Sequence, residues 1–161
     1  MPSSCARWWA RVANLFPTEE AAVEGAETLD TSVSFGRSFR FDWDAGEFAL
    51  TPTGRIAGAE GAGAWLEWCA KALQTERYRY LVYSRGYGQE FDSLIGSGLS
   101  RAAVESEIAR IATETLMADP RTASVGSFSY EWERDRCLFT CEVTSVRDET
   151  GTLQGSVVNV G

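Results

Sequence analysis

The chain has 161 residues, 44% of them hydrophobic and 12% aromatic, with a formal net charge of −8 and no histidine. That length and apolar content suit one domain with a real core and exclude disorder throughout. The acidic balance excludes the basic footprint of a nucleic-acid binder and disfavours anionic membrane surfaces, so neither is expected as a partner.

Residues 1–34 read as an N-terminal arm and acidic linker. Trp8, Trp9, Val12, Leu15 and Phe16 fall on one helical face that Pro17 ends. The adjacent Trp8 and Trp9 either pack back on the domain or anchor a neighbouring subunit. Glu19, Glu20, Glu24, Glu27 and Asp30 mark a solvated linker. The start lacks the apolar core and cleavage site of a secretory signal, and no apolar run of about 18 residues spans a membrane.

Residues 35–148 read as the main domain. Phe39, Phe41 and Trp43 alternate with Arg40 and Asp42, and turns at Asp44–Gly46 and Pro52–Gly54 lead to Phe48, Leu50 and Ile56. This predicts a small meander with one buried face. A glycine-rich stretch, 58–63, enters a helix with Trp65, Trp68, Cys69, Ala72 and Leu73 on one face and Glu67 and Lys71 opposite. Residues 73–90 hold a run of tyrosines and arginines, expected to be extended until Gly86-Tyr87-Gly88 reverses the chain. Phe91, Leu94 and Ile95 suggest a short helix ending at Gly96. Ser100 is a predicted N-cap for a second long helix, with Val104, Ile108, Ile111, Thr115 and Leu116 in one stripe and Asp119-Pro120 as its stop. Phe128, Tyr130 and Trp132, then Cys137, Phe139, Cys141 and Val143, alternate with polar residues on either side of Arg134-Asp135, the clearest hairpin in the chain. Residues 149–161 form a β-prone tail with Val157, Val158 and Val160. It is either the last strand of its own sheet or a strand for another chain.

No metal or cofactor is expected. Cys5, Cys69, Cys137 and Cys141 lack C-x-x-C spacing. Cys137 and Cys141 sit about 13 Å apart on one strand face, so they do not bond to each other. Reduced, buried thiols are the expectation. Residues 54–63, GRIAGAEGAG, lack the Lys-Ser/Thr of a phosphate loop. Without histidine a Ser-His-Asp triad is excluded. The remaining enzymatic option is a pair of carboxylates, Glu90 with Asp92 or Glu105 with Glu114, as in a glycan hydrolase. Asp119-Pro120-Arg121 is either a helix stop with surface charge or a stiff corner presenting an arginine fork to a partner carboxylate.

Several motifs occur in an order that resembles a known family. They are Leu15-Phe16-Pro17-Thr18-Glu19-Glu20, Phe41-Asp42-Trp43-Asp44, Gly46-Glu47-Phe48 and Gly54-Arg55-Ile56. The segment from Trp65 to Glu90, centred on Thr75-Glu76-Arg77-Tyr78-Arg79-Tyr80, is the most specific. Leu94-Ile95-Gly96, Glu105-Ser106-Glu107-Ile108 and Asp119-Pro120-Arg121 complete the set. Together they resemble the XkdS-like baseplate proteins of contractile phage tails, related to the T4-type sheath-initiator wedge protein. Asp119-Pro120-Arg121 resembles the Glu-Pro-Arg motif of the T4-type relatives, with Asp in place of Glu.

The resemblance implies a structural part rather than an enzyme. It implies copies placed in a sixfold ring around the tail tube and hub, contacting sheath and other baseplate wedge proteins and templating the first sheath ring by strand exchange. It implies assembly in the host cytoplasm and residence in the baseplate of a phage tail or tailocin-like particle. The expected partner-binding residues are Asp119, Pro120, Arg121, Arg77, Arg79, Tyr87, Trp8, Trp9, Val157, Val158 and Val160. The expected fold is α+β, a mixed or antiparallel sheet with two main helices on one face. Two other readings stand beside it: a cell-wall glycan hydrolase, and a tube-side assembly adaptor that does not touch sheath.

Overall fold

The computed structural model describes residues 33–43 and 45–158. Trp8, Trp9, Val12, Leu15, Phe16 and Val160 lie outside them. The fold is α+β, as expected. Its centre is an antiparallel sheet of β5 (Thr122–Glu133), β6 (Arg136–Ser145) and β7 (Thr150–Val158), in that order. The hairpin closes through Arg134-Asp135, with Arg134 at φ +55°, and places Trp132 opposite Cys137 and Tyr130 opposite Phe139. Alternation along β6 turns Cys137, Phe139, Cys141 and Val143 to one side, where all four are buried.

The tail proves to be the third strand of the chain's own sheet. Cys141 faces Leu153 and Cys137 faces Val157 across the ladder. Leu153 and Val157 join the core. Gly155 lies against the Phe139 ring, which occupies the space a side chain there would need.

Two helices, α1 (Ala62–Gln74) and α2 (Arg101–Met117), cover the inward face. The predicted stripes hold: Trp65, Cys69, Ala72 and Leu73 of α1, and Val104, Ile108, Ile111, Thr115 and Leu116 of α2, are buried. Burying each large aliphatic or aromatic side chain contributes about 1.5–3 kcal/mol. Ser100 caps α2, its Oγ accepting the Ala103 N–H at 3.4 Å. Trp65 is fully buried and satisfies its Nε1–H on Thr122 Oγ1 at 3.0 Å, tying α1 to the start of β5. A 3-10 turn, Phe91–Leu94, adds Phe91 and Leu94 to the core.

The aromatic segment before α1 departs from expectation. It forms two short ribbons instead of a meander with a buried face. One pairs β1 (Arg37–Phe39) with β4 (Gly58–Glu60), the other β2 (Phe41–Asp42) with β3 (Glu47–Phe48). Ile56 makes only a single bridge to Leu50. Phe35 reaches the core, edge-on to Trp65 at 6.4 Å. Phe39, Trp43, Phe48, Leu50 and Ile56 stay exposed. The reason is polar. Glu67 and Lys71, on the solvent side of α1, hold the ribbons there: the Glu67 carboxylate accepts the Phe41 N–H at 3.3 Å, and Lys71 Nζ donates to Ser38 Oγ and the Phe39 carbonyl at 3.2 Å. The aromatic rings therefore pack on one another, Phe41 meeting Trp43 at 4.7 Å and Phe48 at 5.4 Å.

Candidate partner-binding site

The tyrosine-arginine stretch is not extended. It is a closed loop whose two ends clamp together: Arg77 N–H donates to the Gln89 carbonyl at 2.8 Å and Gln89 N–H to the Thr75 carbonyl at 2.9 Å. Between the ends run two successive turns, closed by Tyr83 N–H on Tyr80 O at 3.2 Å and by Tyr87 N–H on Ser84 O at 3.1 Å. The close approach of the two ends is why glycine stands at 88. Its φ is +97°, and a Cβ would sit 2.7 Å from the Thr75 carbonyl oxygen.

Arg77 is the clamp's main bolt. Its side chain is only 9% exposed. Nε donates to the Gly88 carbonyl at 3.0 Å, and one terminal nitrogen donates to Glu90 at 3.2 Å and to Glu114 of α2 at 2.8 Å. Thr115 Oγ1 donates to the same Gly88 carbonyl at 3.3 Å. Arg77 thus works within the chain, while Arg79, bonded to Glu76, remains mostly exposed. Tyr87 lies half-buried in a ring ladder: Tyr80 to Tyr83 at 6.1 Å, Tyr83 to Tyr87 at 4.7 Å, Tyr87 to Trp68 at 5.5 Å.

Trp68 brings two of the family-like motifs together, the tyrosine-arginine segment and Asp119-Pro120-Arg121. The Arg121 guanidinium lies over its ring at 5.8 Å. The corner expectation for Arg121 needs correction. Its side chain is 14% exposed and its fork already holds a carboxylate, that of buried Asp119, with Nε at 2.9 and 3.1 Å from the two oxygens. The remaining terminal nitrogen donates to the Phe35 carbonyl at 2.9 Å. The buried pair needs both partners, so Arg121 is not a free surface fork. Pro120 is the exposed member of the triplet. Trp68 counted only as a core residue in the sequence; its partial exposure is what makes it a junction.

The two edges of the sheet differ. β5 carries register shifts between Thr122 and Ser124 and between Gly126 and Ser129, with Ser127 at φ +52°, and ends in Glu131 and Glu133. Bulges and charges of this kind blunt an edge. β7 pairs in unbroken register with β6 from Thr150 to Val158 and carries no charge. A groove of about 820 Å³ lies beside β7, lined by Thr152 to Ser156 of that strand, by Phe41 and Trp43, and by Leu66 of α1. Val158 is exposed and Val157 is inward.

Three of the four carboxylates of the hydrolase reading, Glu90, Glu105 and Glu114, are bonded within the chain. Arg77, donating to Glu114, holds that carboxyl below its usual range, the reverse of what a general acid needs. Glu105 accepts the Trp132 Nε1–H at 2.7 Å. Among the described residues no cluster of three or more metal-ligating side chains exists, and no helix is long and apolar enough to cross a membrane.

The sequence profile of the family described as contractile injection system sheath initiator matches residues 37–148, well over half of the chain. The chain belongs to this family. Its similarity extends to the phage-like element PBSX protein XkdS of Bacillus subtilis (strain 168), 30% identical over 138 residues, covering 85% of this chain and 92% of that protein. A chain in the cryo-EM structure of the anti-feeding prophage baseplate, 6-fold symmetrised, aligns at a TM-score of 0.45 and 12% identity, over 76% of this chain and 85% of that one. The family profile and the 30% relative bear out the sequence resemblance. As a sheath initiator the chain is a structural baseplate component of a contractile tail, and the hydrolase and tube-side adaptor readings are not favoured.

Proposed function

We propose that this sheath initiator starts the sheath by accepting a strand from the first sheath subunit at the outer edge of β7. The observation that carries this is the pairing of an unbroken, uncharged edge with a groove beside it. A guest strand there gains main-chain hydrogen bonds from β7, and its alternate side chains gain cover from Phe41 and Trp43. The bulged, acid-ended β5 offers no such site. Copies stand in a sixfold ring around the tube, assembled in the host cytoplasm, with different patches facing neighbouring wedge proteins and the hub, as heterologous ring contacts require. Trp68, Tyr87, Pro120 and the outer side of the Asp119–Arg121 pair form one such patch, and Arg79 and Val158 flank others. Trp8, Trp9 and Val160 remain candidate anchors.

The test is a Gln154→Lys/Ser156→Lys double variant. Both positions are exposed on β7, so the fold should tolerate the change, while lysines on an edge oppose strand addition. Particles carrying the variant should contain the protein and show bare tubes by electron microscopy. Full-length sheaths on such particles would refute strand acceptance at β7.

A further inference from the structure

The loop between the helices ends in an apolar tip that the fold does not use. Leu81 and Val82 are the two central residues of the turn closed by Tyr83 on Tyr80. Such positions ordinarily hold glycine, proline, asparagine, aspartate or serine. Here two aliphatic side chains stand 102% and 84% exposed, next to exposed Tyr80. The loop does not fold this tip back onto its own surface. Arg77, Gly88 and Thr115 fasten its base, and the ladder from Tyr80 through Tyr87 to Trp68 props its stem. A tip held in one shape before contact avoids part of the ordering cost of binding.

The loop's charge points to its partner. Of the loop's three arginines, Arg77 is held inside by Glu90 and Glu114, while Arg79, bonded to Glu76 but mostly exposed, and Arg85 flank the tip on either side. Arg85 is exposed and makes no ion pair among the described residues. Phosphate is a poor match, because an aliphatic tip gains nothing from it and the acidic chain repels it. Aliphatic residues flanked by arginines fit an apolar pocket rimmed by carboxylates.

We propose that Leu81 and Val82 form a docking knob that enters such a pocket on a neighbouring baseplate protein. This rests on the baseplate reading above. The knob is distinct from β7 in kind: it offers side chains to a shaped hole, whereas β7 offers main chain to any suitable strand. One chain thereby holds a partner-specific contact and a permissive one.

The test uses Val82→Cys in a Cys5→Ser background, since Cys69, Cys137 and Cys141 are buried. The introduced thiol should react freely with a maleimide in the isolated protein and lose that reactivity in purified particles. A photo-crosslinking residue at Leu81 should trap a neighbouring baseplate protein at apolar residues flanked by Asp or Glu. Arg79→Glu/Arg85→Glu should lower incorporation into particles, most at low salt. Unchanged reactivity in particles overturns the proposal, and so does protection already present in the isolated protein. Crosslinking to the sheath subunit or to a second copy overturns it too, as does normal incorporation of the charge-reversed variant. Absence of the wild-type chain from particles would instead sink the baseplate reading itself.

Discussion

The Arg121 guanidinium grips both oxygens of Asp119 and the Phe35 carbonyl, and its plane covers Trp68. Removing it leaves a buried carboxylate without its cation. Arg121→Ala should therefore cost about 3 kcal/mol or more in urea unfolding. Arg121→Lys should recover only part, because a point charge cannot reproduce the fork. Wild-type stability for Arg121→Ala would show that the pair adds nothing to the fold. The thiols make a second case. Burial pushes Cys69 up to about 12, aided by the nearby Asp119 charge, and Cys141 up to about 11. These folded-state values lie above the ordinary value of 9.0. The neutral thiols thus contribute stability that is fully present below about pH 9 and fades as pH rises through the folded values. Both thiols should resist iodoacetamide at pH 8 until urea unfolds the chain, and stability should fall on titration from pH 9 toward 12. Rapid labelling of either in native conditions would contradict the packing around β6.

β7 supplies Leu153 and Val157 to the core and meets Phe139 across Gly155. Deleting residues 151–161 should therefore expose the β6 face and give an insoluble or largely unfolded protein, seen as loss of cooperative melting. A soluble, cooperatively folding truncation would show that β7 is dispensable to the domain. Much of this architecture was legible beforehand. The α2 stripe repeats at helical spacing behind a capping serine, and the hairpin alternates strictly around a two-residue turn. Both are local patterns that a single hydrophobic face enforces. The ribbons before α1 alternate just as well, yet alternation alone cannot say whether two- and three-residue strands reach the core. Glu67 and Lys71 decide that, from a helix some 26 to 33 residues away. The loop departs from an extended segment for the same reason. Its clamp depends on Arg77 reaching Glu114, 37 residues on, and Arg121 is closed by a carbonyl 86 residues back. The motifs of the candidate site were visible as motifs. Their meeting at Trp68 was not, because nothing local records it.

The chain as a unit is acidic and yet presents one arginine-rich, apolar-tipped loop and one uncharged sheet edge. Charge that is negative overall keeps free copies apart in solution, while the two departures from it are where neighbours are expected. The unlike edges carry a further consequence. A sheet with two good edges can pass pairing from molecule to molecule without end. Here β5 is kinked and acid-ended, so among the described residues this sheet is left with one straight, uncharged edge, that of β7. Two stray copies that met through β7 would cap each other and go no further, and a copy that has taken its guest strand has no second lane to offer. On the proposed strand acceptance at β7, such a molecule would seed a much larger array without polymerising through this sheet on its own, and the number of starts would follow the number of copies seated.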